Sequence, residues 1–338
     1  MRRLSFLCRS AVFSTGLIAC TVAGLSQAVI TLPGGQVSLG VDALGALGAG
    51  SLPSTSNVPG GPYGIYLASQ NADGIAPGCF CEGWGVSVNG TTSGYVGNAD
   101  GGTSNISGVS FASTSSTATS KTSLDGTGLT INQAFSPSTA NTVLFQDQVT
   151  LTNTGSTAMT NVEYTRSMDW DIPPTEFDEY VTVGGVPASA LIFSNDNGFC
   201  TPDPLGACSE IFGGTTNTNF TTAGPVDHGS FFTFDFGSLA AGGSTTFEIF
   251  YGAANDEADA IAALSTDSAE VYALGLASNG PGGAPNTASG TWAFGFAGVG
   301  GTPLPPPTPS ATPEPSSIVL VASGLLGGIT TLRRRFAR

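Results

Sequence analysis

Alternation of apolar and polar residues, cut at short intervals by turn-forming residues, is the feature that most constrains this chain. Across Thr142–Thr152, Val143, Phe145, Asp147, Val149 and Leu151 alternate with Leu144, Gln146, Gln148 and Thr150. A period of two places alternate side chains on opposite faces of a strand and does not suit a helix. Asn153-Thr154-Gly155-Ser156 then turns the chain, and Val162–Asp169 is expected to continue as the partner strand. Thr117–Leu124 and Leu129–Ala134 flank Asp125-Gly126, a pair favoured in hairpin turns. Phe231, Thr233 and Asp235 alternate with Phe232, Phe234 and Phe236, and the run Leu239–Tyr251 follows. Composition agrees: 48 glycines in 338 residues and only 10% charged residues exclude coiled coils and long-helix bundles. One helix is expected near 255–264, with Asn255 as N-cap, Asp256 and Glu257 in the first turn, and Ile261 and Leu264 sharing a face. Thr266–Leu274 is expected to add a turn or two of helix. The expected fold is therefore all-β, an antiparallel β-sandwich with one short helix.

Charge is segregated along the chain. Arg2, Arg3 and Arg9 lie at one end and Arg333, Arg334, Arg335 and Arg338 at the other. Between Val29 and Pro315 there are 24 acidic residues and only two basic ones, Lys121 and Arg166, a formal charge of −22. A body with two cations cannot neutralise a phosphate backbone, which excludes nucleic acid as a partner.

The basic residues mark the ends as addresses. Residues 1–28 read as a signal peptide: a charged front, the apolar run Ala11–Leu25, and Ser26-Gln27-Ala28 as a small-residue exit for signal peptidase. An uncleaved anchor and lipidation at Cys20 are the alternatives. At the other end, residues 302–315 form a proline-rich spacer, extended at about 3.1 Å per residue, that closes on Pro313-Glu314-Pro315. Residues 316–332 are uncharged and would span about 25 Å as a transmembrane helix, the short end of what crosses a bilayer. Residues 333–338 follow with Arg333, Arg334 and Arg335, which hold that end in the cytoplasm. This order of parts resembles the PEP-CTERM sorting signal read by exosortases in Gram-negative bacteria. The resemblance covers Pro313–Arg338 and implies export, transient anchoring in the inner membrane through the C-terminal helix, and cleavage near Pro-Glu-Pro. Delivery to the surface or extracellular matrix would follow, in the setting of exopolysaccharide and biofilm production. An ordinary tail anchor is the plainer alternative.

Residues 29–301 form the β-rich exported body. Val149–Ser156 and Phe236–Ser244, followed by Phe247–Phe250, are similar to strand-and-turn phrases of bacterial immunoglobulin-like modules. The chain between them exceeds one such module, so the resemblance implies an insertion or an enlarged sandwich.

Cys8 and Cys20 leave with the signal peptide, and Cys79, Cys81, Cys200 and Cys208 remain. An even number in an exported chain reads as disulfides. Pairing Cys200 with Cys208 is easy but leaves a small ring at Cys79–Cys81, so links between the two segments are preferred. They would restrain the unfolded chain by close to about 5 kcal/mol. A copper or zinc site at Cys79-Phe80-Cys81 is the alternative.

Asp169, Asp171, Glu176, Asp178 and Glu179 lie within eleven residues with no basic neighbour. The segment reads first as a solvated acidic loop. A Ca²⁺ site, since hard cations want several oxygens, is the main functional alternative, and a glycosidase carboxylate pair beside Trp170 is the other. Asn195-Asp196-Asn197-Gly198 reads as a turn, with a weaker calcium alternative. His228, the only histidine, lies between Asp227 and Ser230 and reads as a polar turn residue rather than part of a triad. Trp84, Trp170, Trp292, Tyr63 and Tyr66 read as core, with a sugar-stacking surface as the alternative. The expected function is a non-catalytic exported surface or extracellular-matrix protein, with exosortase and signal peptidase as processing partners and exopolysaccharide as a candidate ligand. The competing expectation is a secreted carbohydrate-active enzyme or sugar-binding protein using the 169–179 carboxylates.

Overall fold

A computed structural model describes residues 26–97 and 102–307. Residues 1–25 of the expected signal peptide (1–28), Pro313-Glu314-Pro315, the expected transmembrane helix at 316–332 and Arg333–Arg335 lie outside the described residues. Among the described residues, no helix is long and apolar enough to cross a membrane. The chain divides into a unit that ends at Leu304 and a second that begins at Pro305.

The first unit is all-β. In chain order its strands are β1 (Ala28–Thr31), β2 (Val37–Val41), β3 (Ile65–Leu67), β4 (Ala72–Asp73), β5 (Glu82–Val88), β6 (Thr92–Gly97), β7 (Thr103–Ser104), β8 (Ile106–Ser113), β9 (Ala118–Leu124) and β10 (Leu129–Pro137). Then come β11 (Leu144–Asn153), β12 (Glu163–Trp170), β13 (Tyr180–Gly184), β14 (Leu191–Asn195), β15 (Phe220–Ala223), β16 (His228–Asp235) and β17 (Ser244–Ala254). A helix α1 (Glu257–Thr266) precedes β18 (Val271–Leu276) and β19 (Thr291–Ala297). A nine-stranded sheet runs β15-β13-β18-β19-β17-β11-β10-β9-β8, a six-stranded one β14-β16-β12-β5-β6-β7, and a small one β1-β2-β3-β4. Every paired neighbour is antiparallel. The two larger sheets exceed the seven to nine strands of an immunoglobulin domain.

Aromatic side chains join the two large sheets. Phe234 on β16 lies 4.7 Å from Phe296 on β19, and Tyr164 on β12 lies 5.0 Å from Phe247 on β17, centroid to centroid. Trp84, Trp170 and Trp292 are fully buried, so the tryptophans belong to the core and present no sugar-stacking surface. Trp292 Nε1 donates to the Ile65 carbonyl at 2.7 Å, which fixes the small sheet against β19. Tyr63 and Tyr66 are half-buried and meet edge to face at 5.5 Å.

The Asp125-Gly126 hairpin forms as expected between β9 and β10. The two phrases similar to immunoglobulin-like modules lie side by side, with Val149 opposite Phe247 and Thr152 opposite Ser244. Val162–Asp169, however, is not the partner of Thr142–Thr152. β11 pairs with β10 and β17, whereas β12 pairs with β5 and β16 in the other sheet. The chain after Asn153 crosses between layers, and β12 is buried along its whole length. The helix also departs from expectation. Its N-cap is Asp256, whose carboxylate accepts from the Asp259 amide at 2.8 Å, so Asn255 lies one residue too early. It ends at Thr266, and Val271–Leu276 is a central strand rather than more helix. β-branched and aromatic residues there favour a buried sheet position over continuation of the helix.

The cysteines close locally, as Cys79–Cys81 and Cys200–Cys208, with Cα separations of 5.2 and 5.7 Å. The preference for links between the two segments is thereby corrected. Phe80, at φ +50°, turns the chain so that its two neighbours meet. The segments do come together: Cys81 and Cys200 line one small crevice beside Pro202. Both cysteines at 79 and 81 are bonded, so no thiolate pair is free for copper or zinc.

Candidate functional site

Antiparallel pairing sets Asp169 opposite Gly229 and Trp170 opposite His228 at one end of the six-stranded sheet. The approach is close: a Cβ on Gly229 would lie 2.0 Å from the Met168 carbonyl oxygen. A Cβ on Gly198 would lie 2.5 Å from the Asp169 backbone, so the 195–198 turn also presses on this strand. Asp169 therefore stands near the end of β12, Asp171 just beyond it, and Asp227 just before β16. The Asp169 amide donates to the Cys81 carbonyl and the Asp171 amide to the Gly74 carbonyl, each at 2.8 Å. Glu179 comes from the opposite layer, immediately before β13, and its Oε1 accepts from the His228 amide at 2.8 Å.

Asp169, Asp171 and Asp227 each bring one carboxylate oxygen to within 4.8 Å of the other two. Asp171 and Glu179 are fully buried, Asp169 is 1% exposed, and Asp227 is half-buried. Neither oxygen of Asp171 has a hydrogen-bond partner among the described residues, nor has Asp169 Oδ1, Glu179 Oε2 or Asp227 Oδ1. A buried carboxylate normally receives hydrogen bonds, pairs with a cation or binds a metal. Burial first, then repulsion from Asp227 and its other acidic neighbours, pushes Asp171 up to about 8. Glu179 is pushed up to about 10 by burial, despite the His228 amide, and Asp169 is raised well above the usual carboxylate range by burial and by Asp171. Burial raises Asp227 as well, against a smaller pull from His228.

Of the five carboxylates expected together, the structure brings Asp169 and Asp171 into the close group, with Glu179 buried beside it but outside the 4.8 Å set. Glu176 and Asp178 stand on the half-buried loop between, where Glu176 Oε1 receives Asn57 Nδ2 at 3.4 Å and Asp178 receives the Gly282 amide. The segment is thus no solvated loop at its two ends. Asp227 was missed because it lies 48 residues beyond Glu179 in sequence and reaches the cluster only through the β12–β16 pairing. Its one signal was its position directly before an alternating phenylalanine strand.

His228 is buried, and its Nδ1 lies 2.8 Å from Asp196 Oδ2. Burial alone would raise Asp196, but hydrogen bonds from His228, Thr215, Phe212 and Ile211 outweigh it and hold that carboxyl below its ordinary value. Asn195 ends β14, and the chain then turns through Asp196-Asn197-Gly198, with both carboxylate oxygens of Asp196 already engaged. Among the described residues Ser230 Oγ has no hydrogen-bond partner, so the structure shows no Ser230–His228–Asp227 relay. Two carboxylates for glycoside hydrolysis would stand roughly 5–10 Å apart about an accessible bond. This cluster is largely buried, with only Asp227 partly open to solvent.

No protein-family model matches this chain, and no curated protein matches it. Fold and site together define an all-β protein with a carboxylate cluster buried where its two large sheets meet.

Proposed function

We propose that this chain is a non-catalytic exported protein of the cell surface or extracellular matrix, sorted by an exosortase. The observation that carries the reading is the order of parts at the C-terminus: Pro313-Glu314-Pro315, an uncharged stretch at 316–332, and Arg333-Arg334-Arg335. The N-terminal leader at residues 1–28 is the matching export signal. Two disulfides in the body are consistent with an oxidising destination. Signal peptidase and the exosortase are the processing partners, and the uncharged stretch at 316–332 is the transient inner-membrane anchor. Exopolysaccharide is the matrix component such a protein would accompany. A secreted carbohydrate-active enzyme is the weaker reading, because the acidic groups it would use are turned inward and the tryptophans it would stack on are in the core.

The experiment replaces Pro313, Glu314 and Pro315 by alanine and follows the protein in cell fractions, beside a host lacking the exosortase. Both should leave an unprocessed species in the inner membrane. Normal release to the surface from either strain would overturn the reading.

A further inference from the structure

We infer that Asp169, Asp171 and Asp227 bind one Ca²⁺ ion that ties the end of β12 to the segment entering β16. Asp169 lies on β12, Asp171 just beyond its end, and Asp227 immediately before β16, while Glu179, ahead of β13 in the facing layer, stands outside the 4.8 Å group. An ion shared among the three aspartates would hold the β12 end and the β16 entry together where the two strands diverge into loops.

Three observations converge. The first is geometric: carboxylate oxygens from three residues lie within 4.8 Å of one another, no farther apart than the roughly 4.6–5.2 Å that separates opposite oxygens on one Ca²⁺ ion. The second is Asp171 itself, fully buried with both oxygens unpartnered among the described residues and one of them in the cluster. The third is the lack of a protein cation to serve it. The described residues contain two, Arg166 and Lys121. Arg166 is committed to Glu82, and Lys121 is exposed on β9, where it pairs with Ser110 and Asn132 positions of the neighbouring strands. His228 Nδ1 is committed to Asp196. A donor set of oxygen alone selects hard cations over zinc or copper. The adjacent sulfurs of Cys79 and Cys81 are joined to each other. Half-buried Asp227 gives the ion a way in. The inference rests on this geometry and not on the sorting reading; the same fold retained inside the cell would bind calcium equally.

The test uses the full chain freed of metal with EDTA. CaCl₂ is titrated calorimetrically, and thermal unfolding is followed in Ca²⁺, in Mg²⁺ and in NaCl of equal ionic strength. One Ca²⁺ per chain is expected, with a rise in Tm that follows mass action and exceeds those in Mg²⁺ and NaCl. Asp171→Asn and Asp227→Asn should each weaken binding about tenfold or more and abolish most of the Ca²⁺-dependent rise. Without metal, Asp171→Asn should melt no lower than the parent, because it replaces a buried carboxyl that has no hydrogen-bond partner among the described residues. Glu176→Gln and Asp178→Asn should keep the parent response. Equal effects of Ca²⁺ and NaCl would overturn the inference, as would an undiminished response in Asp171→Asn and Asp227→Asn, and equal binding of Mg²⁺ would overturn the assignment to calcium.

Discussion

Arg166 on β12 and Glu82 on β5 form an ion pair inside the sandwich, with neither side chain exposed. Their surroundings are built from distant parts of the chain. Glu82 Oε2 accepts from the Leu47 amide at 2.7 Å, and Arg166 Nη1 donates to Gln133 Oε1 at 3.3 Å and to the Gly45 carbonyl at 3.4 Å. The guanidinium also lies 5.2 Å from the centre of the Tyr251 ring. Removing one partner of such a pair strands the other charge in the interior. Arg166→Met should therefore cost about 3–5 kcal/mol in urea unfolding. Arg166→Met combined with Glu82→Leu should recover part of that loss, since the stranded carboxylate is gone. An additive double mutant would mean that the two groups act independently.

Asp147 on β11 is fully buried, and burial pushes its carboxyl up to about 8. Arg166 pulls it down, while Glu248 and Glu82 push it up. The native state thus keeps a proton that the unfolded chain, with an aspartate near ~4, has lost. Between about pH 4 and pH 8 the native state binds more protons, so the unfolding free energy falls as pH rises. Asp147→Asn should flatten the stability curve in that window by up to about 1.4 kcal/mol per pH unit. Urea unfolding of parent and variant at matched pH values checks this. Parallel curves would show that Asp147 titrates normally in the folded protein.

Non-reducing peptide mapping should find Cys79 joined to Cys81 and Cys200 joined to Cys208, each within a single stretch of chain. Replacing Cys200 and Cys208 together by serine should lower stability by about 2–3 kcal/mol, the value expected for a short closed loop. Peptides linking the 79–81 and 200–208 segments would contradict the local pairing.

Much of the sheet was legible because strands with one polar face keep a period of two. β9, β10 and β11 are of this kind, and their burial alternates residue by residue. β5, β12 and β16 are buried on both faces and carry no such alternation in burial, so their partners were not readable. That is why β12 was assigned to the wrong layer. β18 was misread as helix because Val271–Leu276 follows α1 after only four residues and is uniformly apolar. The cluster was half legible. Asp169, Asp171 and Glu179 announced themselves by density of charge in one segment, whereas Asp227 is brought in by a long-range strand pairing that local sequence does not encode. Burial, which separates those three from Glu176 and Asp178, is likewise a property of the packed sheets.

The central claim concerns the destination of the chain, and intact-mass measurement of protein extracted from the cell surface tests it most directly. The account expects a polypeptide that begins near Val29 and ends near Pro315, without the residues from Ser316 onward. A surface species that still carries Arg333–Arg338 would contradict it.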